Sequence, residues 1–282
     1  MITIILAKIA KKCPMLIWQL RHLKRYHSFM NVKKPRNLYE KIVQMSIYEK
    51  NESWSILADK FAVREEIKSI IGEKYLNELY GHYNSPDDIK LEELPNCFVL
   101  KTNNGCATNM IIKDKNNFDF KSAKKTLRKW LNFPYGELTG QLHYAKITPC
   151  IIAEKFLIQG NNEKGLIDYK FFCINGEPRY LFVYKDREIN THKFSVMAYD
   201  MNWEKCPNLV ADNINHISKF EKPASFDEMK NIVTKLAKPY KFVRIDLYEI
   251  NNRPIFGEYT FTPSIDALSP VCQENIFNEI NN

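Results

Sequence analysis

The sequence holds no CxxC pair, no HExxH and no two histidines four residues apart. Zinc ribbons and zinc-protease sites are therefore excluded. Its seven cysteines (13, 97, 106, 150, 173, 206 and 272) are scattered, which argues against a disulfide framework and for a reducing, cytoplasmic setting. A Walker loop and a GxGxxG fingerprint are also missing, so neither usual glycine-rich phosphate cradle is present. No apolar run reaches the roughly 20 nearly uncharged residues of a membrane span. Lys8, Lys11 and Lys12 break the first apolar stretch too early for a convincing signal peptide. There is no internal repeat or low-complexity tract. Without a helix-turn-helix, RNP or zinc-finger pattern, no nucleic-acid partner is expected.

Acid is missing from the first 36 residues, which hold nine Lys or Arg and supply much of a formal net charge of +8. From Pro14 onward, Leu16, Ile17, Leu20 and Leu23 repeat at helical spacing, with Arg21, Lys24 and Arg25 elsewhere on the wheel. Two readings stand. One is a basic amphipathic helix on an anionic membrane surface, with residues 1–30 as a peripheral contact. The other is a helix packed on the body with a basic outer face. The 282 residues give room for one large or two medium domains. A content of 45% hydrophobic and 26% charged residues describes an ordinary globular protein.

Periodicity predicts helices over 35–51, 58–76, 119–133 and 225–240, the last with Ser225 as N-cap and Glu228 as its capping-box partner. Residues 94–113 read as strand, polar loop and strand, and 148–157 as a central strand buried on both faces. Residues 166–186 read as two strands around Asn175-Gly176, a strong hairpin signal. The chain is thus mixed α/β, rich in antiparallel hairpins.

The segment FVRIDLYEINNRPIFGEYTF (242–261) carries the most chemistry. Val243, Ile245 and Leu247 share one strand face, and Arg244, Asp246 and Tyr248 the other. Asn251-Asn252-Arg253 reads as a turn, and Phe256, Glu258 and Thr260 share one face of the return strand. A turn centred on Asn252 sets Arg244 opposite Thr260 and Asp246 opposite Glu258. Opposed carboxylates repel, cross-strand pairs being worth roughly 0.2–1 kcal/mol in either direction. A hard divalent ion such as Mg²⁺ reverses that sign, since it takes carboxylate oxygens together with substrate phosphates. The planar fork of Arg244 suits a phosphate oxygen. A solvated face on which Arg244 neutralises one acid explains the same pattern, and one residue of slip would separate the pair.

Three further places carry chemistry. Lys101 leads into the polar loop TNNGCATN, where backbone N–H groups and an ammonium can line phosphates; an ordinary hairpin needs the same glycine. Glu154 interrupts the apolar strand IIAEKFL, so it must meet Lys155, another base or a ligand amine. Asp168 and Lys170 share a face of LIDYKFF. Taken singly, each is more often structural than functional. Their order is that of a nucleotide–metal site assembled from successive sheets.

That order resembles the ATP-grasp superfamily, and its wording the TupA-like ATP-grasp family, named for teichuronopeptide biosynthesis. NVKKPRNLYEKIVQMSIYEKNE is similar to the family's opening helix, LADKFAVREEI to its Asp-Lys-Tyr-x-Val-Arg segment, and LPNCFVLKTNNG to its Leu-Pro…Phe-Val-Leu-Lys-x-Asn-His-Gly loop. IIAEKFL, DYKFFCINGEPRY, FVRIDLY and FGEYTFTPS follow in the family's order. The resemblance covers most of the chain. It implies an α+β ATP-grasp fold, with two antiparallel-rich subdomains sandwiching the nucleotide. An N-terminal helical region (1–57) would precede a subdomain with the phosphate loop (58–156) and one with the metal site (157–282).

The resemblance also implies ATP and Mg²⁺ as cofactors. Lys101 and Lys170 would hold the phosphates, with Asn103, Asn104 and Gly105 in the loop. Glu154 and the backbone of Lys155, Phe156 and Leu157 would meet the adenine edge, and Asp168 joins the nucleotide-binding set. Asp246, Glu258 and Thr260 would hold the metal, Thr260 standing where other ATP-grasp enzymes often have Asn. Arg244 would contact the transferred phosphoryl group and, with Lys170, is the catalytic candidate. Asp59, Lys60 and Arg64 stay open between structure and acceptor binding, and Lys185, Asp186 and Arg187 are weaker acceptor-side candidates. Asn104 and Ala107 depart from an expected His and a second Gly, which would stiffen the loop.

The expected activity is an ATP-dependent carboxylate–amine ligase working through an acyl-phosphate. Its acceptor would be a uronic-acid-containing saccharide or precursor of surface polysaccharide, its amine an amino acid or amino alcohol, and its place the cytoplasm or the inner face of the membrane. A glycosyltransferase is the alternative, but its Asp-x-Asp motif is missing; Asp87-Asp88 after Pro86 is the nearest cluster. A basic adaptor for membrane or nucleic acid would rest on the N-terminal charge alone.

Overall fold

A computed structural model describes residues 2–49, 52–159, 165–186, 194–218 and 220–282. In chain order it begins with helices α1 (Ile2–Lys12), α2 (Pro14–Tyr26), α3 (Leu38–Tyr48), α4 (Trp54–Ala58) and α5 (Val63–Ile70). Strands β1 (Leu79–Tyr83), β2 (Phe98–Thr102) and β3 (Asn109–Ile112) follow, then α6 (Phe120–Leu131), α7 (Tyr135–Thr139) and β4 (Ile151–Lys155). The remainder is β5 (Asp168–Ile174), β6 (Glu177–Lys185), β7 (Ser195–Tyr199), β8 (Asn215–His216), α8 (Phe226–Ala237), β9 (Phe242–Ile250), β10 (Arg253–Thr260) and α9 (Pro270–Asn281). Two compact units result: residues 1–30, 46–66 and 77–156, and residues 31–45, 67–76 and 157–282.

In the first unit an antiparallel sheet runs β1-β4-β2-β3. Side chains alternate across it, so Phe98 and Leu100, Ile112, and Ile151 and Ala153 meet Leu127 of α6 in one core. Asp119 caps α6 by accepting from the Ser122 N–H. The other face carries Val99, Lys101, Ile152 and Glu154. As expected, β4 is central and its residues are buried apart from Lys155.

α2 starts on Pro14, whose missing N–H costs nothing at a helix start. It buries Trp18 and His22, and the Trp18 indole donates to the Gly140 carbonyl at 2.9 Å. Gly140 ends α7 in the left-handed region (φ 77°), and a Cβ there would stand 2.7 Å from the Trp18 nitrogen. Glycine is required on both counts.

The expected helix 58–76 is interrupted. The Asp59 carboxylate accepts from the N–H groups of Phe61 (2.8 Å) and Ala62 (3.2 Å), forming a side-chain-closed turn. α5 therefore begins only at Val63.

The second unit holds a six-stranded sheet in the order β10-β9-β5-β6-β7-β8, antiparallel except for β7 with β8. Phe226, Met229, Ile232, Val233 and Leu236 of α8, with Ile276 and Ile280 of α9, are buried in this unit. The Tyr259 hydroxyl donates to the Leu236 carbonyl, which puts α8 on the sheet face shared by Phe171, Ile245 and Tyr259. Asn175 and Gly176 both have positive φ (51° and 83°), the type I′ turn expected of that hairpin. The expected capping box at α8 does not form. Ser225 donates its hydroxyl to Glu249 (2.7 Å), and Glu228 accepts from the Tyr75 hydroxyl. Glu249 also takes the Ser225 backbone N–H (2.9 Å), the donor that Glu228 would accept from in a capping box.

All seven cysteines are free thiols. Among the described residues no helix is long and apolar enough to cross a membrane.

Candidate functional site

Two clusters of charged side chains gather the residues that the sequence singled out, one in each unit. In the second unit, Lys170 of β5 stands opposite Asp246 of β9, and Asp246 opposite Glu258 of β10. One step along the same face, Phe172, Arg244 and Thr260 form the next row. The Asp246–Glu258 and Arg244–Thr260 pairs are those expected, but the route to them differs. The turn is Asn251-Asn252 alone, both residues left-handed (φ 51° and 58°), and Arg253 already pairs with Ile250. A strict ladder from that turn would set Asp246 opposite Gly257 and drop Glu258 onto the face of Ile245. A bulge between Phe256 and Glu258 inserts the extra residue and turns Glu258 back to Asp246. Phe256 consequently pairs with Leu247 on the apolar face, not on the face of Glu258 as its spacing suggested.

Within this cluster the Arg244 fork donates to both Asp246 oxygens, at 2.7 and 2.8 Å, and to Glu258 and Thr260, each at 3.0 Å. The Lys170 ammonium contacts Asp246 Oδ2, lies 3.4 Å from Asp168, and sits 5.4 Å from the centre of the Tyr184 ring. Burial works against the Asp246 charge, yet the Arg244 and Lys170 charges overcome it and hold the carboxyl below its usual range. Burial likewise opposes the Arg244 charge, which Asp246 and Glu258 restore and strengthen. Removing Asp246, the buried centre of this set, would leave the Arg244 and Lys170 charges under-compensated, at about 3–5 kcal/mol.

The donor set fits a hard divalent ion. Asp246, Glu258 and Thr260 offer oxygens on one face, and the Glu258 side chain is 39% exposed, with Arg244 and Thr260 both contacting its Oε1. Among the described residues no group of three or more His, Cys, Asp or Glu could hold a metal. Two carboxylates and a hydroxyl are what Mg²⁺ commonly takes when phosphates complete its shell.

In the first unit Glu154 accepts from Arg64 at 3.1 Å and from Lys101 at 2.7 Å. Its neighbour Lys155 turns instead to Glu78 (3.2 Å). The backbone of Lys155, expected at the adenine edge, is engaged as strand: its N–H donates to the Glu78 carbonyl and its carbonyl accepts from Asn77. Phe156 and Leu157 follow, half-buried, beyond the strand's end.

The loop after β2 is braced from inside. The buried Asn103 amide donates to Asp59 (2.9 Å) and to the Thr148 carbonyl (3.0 Å), and its oxygen accepts from the Cys150 N–H (2.7 Å). Both amide hydrogens of Asn103 are thus used within the unit. Asn104 donates to the Leu131 carbonyl, and the Gly105 carbonyl accepts from Lys60. Asp59, Lys60 and Arg64, left open between structure and acceptor binding, all make contacts internal to this unit. Ala107 has a left-handed backbone, φ 58°.

Lys185 ends β6 and Asp186 is left-handed (φ 56°), whereas Arg187 lies outside the described residues. Asp87 is tied to Lys124 and Arg128, and Asp88 closes a capping box with Ser85. Sequence reading missed two residues here: Gly257, signalled only by a glycine inside a strand pattern, and Tyr184, for which no local signal exists.

The chain matches the family described as TupA-like ATPgrasp over residues 40–271, a span that begins after α1 and α2. No curated protein matches it. Among solved structures it is similar to the D-alanine–D-alanine ligase of Bacillus anthracis complexed with ATP, at 14% identity and a TM-score of 0.48, covering 80% of this chain and 65% of that one. The ATP-grasp ligase PsnB complexed with a minimal precursor is similar at 10% identity and a TM-score of 0.44, covering 82% and 62%. So is the phosphoribosylamine–glycine ligase of Thermotoga maritima, at 12% identity and a TM-score of 0.41, covering 80% and 54%. The chain thus spans less than two thirds of the length of each of these proteins.

Proposed function

This chain belongs to the TupA-like ATP-grasp family, and from that premise we propose that it is an ATP- and Mg²⁺-dependent carboxylate–amine ligase. The observation that carries the reading is the row Lys170–Asp246–Glu258 with Arg244 folded over it. An acceptor carboxylate oxygen attacks the γ-phosphorus, the bond to the ADP oxygen breaks, and an acyl-phosphate forms. An amine then attacks the acyl carbon, phosphate leaves, and the amide nitrogen loses a proton. Such a transfer depends on positioning and on neutralising charge along the equatorial oxygens. Arg244 supplies a fixed fork for the transferred group and Lys170 a second cation. Asp246, Glu258 and Thr260 would hold Mg²⁺, whose charge would help to neutralise that of the phosphates. Lys101, poised on Glu154, would serve a nucleotide phosphate, and Glu154 the nucleotide's amine edge.

The acceptor in this reading is a uronic acid or similar carboxylate of a surface polysaccharide precursor, of capsule, O-antigen or teichuronic type, and the amine an amino acid or amino alcohol. Lipid-linked precursors of this kind place the reaction in the cytoplasm at the inner face of the membrane. The glycosyltransferase reading gains no support, because Asp87 and Asp88, its nearest acid cluster, are engaged in pinning α6 and capping a turn.

Calorimetric titration of ATP, ADP and UDP-glucose, with and without Mg²⁺, tests the assignment on wild type and Glu258→Gln. Adenine nucleotides should bind more tightly with Mg²⁺, and the variant should lose that gain while binding ATP alone as before. Binding of the uridine nucleotide only would overturn the ligase reading.

A further inference from the structure

α2 presents two opposite faces. Trp18 (5% exposed) and His22 (1%) turn inward; Trp18 ties the helix to Gly140, and His22 bonds the Ser28 carbonyl just past the helix end. Leu16 (46%), Leu20 (55%) and Leu23 (38%) fall at i, i+4 and i+7 and form one stripe on the outward side. Sequence periodicity would normally bury such a stripe in the core; here Trp18 and His22 take that place instead. Lys24 and Arg25 close the last turn of α2, and Lys11 and Lys12 that of α1, with no acid anywhere in the first 36 residues.

We propose that this face docks on an anionic lipid bilayer. α2 would lie in the interfacial plane, with Leu16, Leu20 and Leu23 in the boundary between headgroups and acyl chains and the basic residues at the depth of the phosphates. The 13-residue helix is about 20 Å long at 1.5 Å per residue, too short to cross a hydrocarbon core of about 30 Å. An apolar stripe beside clustered Lys and Arg is the composition of an interfacial helix. The uniform sign of the flanking charge complements anionic headgroups rather than a partner surface of mixed sign. Arg21 donates to the Thr139 carbonyl at 2.8 Å, and Trp18 to Gly140, so the helix is already ordered and its ordering entropy is not lost on binding. The proposal adds a surface to the ligase reading and stands without it.

Flotation of the full chain with vesicles of phosphatidylcholine alone, or with phosphatidylglycerol added, provides the test. Wild type should float with the anionic vesicles and stay behind with the neutral ones. Leu16→Ser/Leu20→Ser should weaken partitioning about tenfold or more. Lys24→Glu/Arg25→Glu should weaken it about fivefold per charge, and added salt should mimic that loss. Melting temperature and the Mg²⁺–ATP titration, measured on the same preparations, should be unchanged in the leucine variant, which separates a docking defect from misfolding and from failure of the ligase assignment. Wild type that does not bind anionic vesicles would overturn the proposal, as would a leucine variant that binds equally well. Binding of an oligonucleotide without vesicle binding would overturn it too, and assign the face to nucleic acid.

Discussion

Ala107 shows how one side chain acts through its backbone. Its φ of 58° lies where a Cβ crowds the following carbonyl, a cost of about 1–2 kcal/mol for a residue other than glycine. The resemblance led us to expect glycine here, and the left-handed angle supplies the physical reason. Ala107→Gly should relieve that strain, partly offset by the greater freedom of an unfolded glycine. The net is a stabilisation of up to about 1 kcal/mol, or a rise of roughly 2 °C in melting temperature. A calorimetric scan of the variant checks it, and a lowered midpoint would refute the strain. Asn103 is a contrary case at the same scale. It was legible as a loop polar residue beside Lys101, but its amide serves Asp59, Thr148 and Cys150, partners 44 to 47 residues away that no local pattern reveals.

The β9–β10 hairpin is the element on which the metal assignment turns. Alternation and a turn centred on Asn252 were enough to pair Asp246 with Glu258, yet the two-residue turn alone would have separated them. The bulge at Gly257 restores the register, and glycine is needed there. A Cβ would stand 2.9 Å from the Asp246 carbonyl oxygen and 3.1 Å from the Tyr248 ring. The closest neighbour is backbone, so the strands themselves must shift. Gly257→Ala should therefore destabilise by about 1–3 kcal/mol and misplace Glu258. Urea unfolding reads the first effect and loss of the Mg²⁺-dependent gain in ATP binding the second. A variant with both quantities unchanged would show that the bulge does not set the site. Ser225 and Glu228 teach the complementary point: a capping-box spacing is no guarantee when Glu249 and Tyr75 offer better partners.

For the whole molecule, stability should depend on pH through His143. Its imidazole is buried, 5.7 Å from Trp54, and burial lowers its pKa from 6.5 to about 4. An unfolded histidine titrates near 6.5, so between these values the unfolded chain binds a proton that the folded chain refuses. Stability is complete above about pH 6.5 and falls as pH drops towards 4, by up to about 3 kcal/mol from this group. Denaturant midpoints measured across that window should slope in wild type and flatten in His143→Gln. An equal slope in both would move the effect to other groups.

By itself the sequence determined the class of chain, most of its strands and the resemblance that named its family. Those features follow from period-2 alternation, turn residues such as Asn175-Gly176, and segment order, all written locally. It also marked Glu154 as a residue needing a partner, because a carboxylate within an apolar strand must be compensated, and singled out Lys101, Lys170, Arg244, Asp246 and Glu258 as candidates for a phosphate and metal site. Only the tertiary structure decided the partners: Arg64 and Lys101 for Glu154, Asp246 for Lys170, Trp18 rather than the leucines for the inner face of α2. These choices depend on distances between residues far apart in the chain and on burial, which sets what an unpaired charge costs, and neither quantity exists before the sheets form.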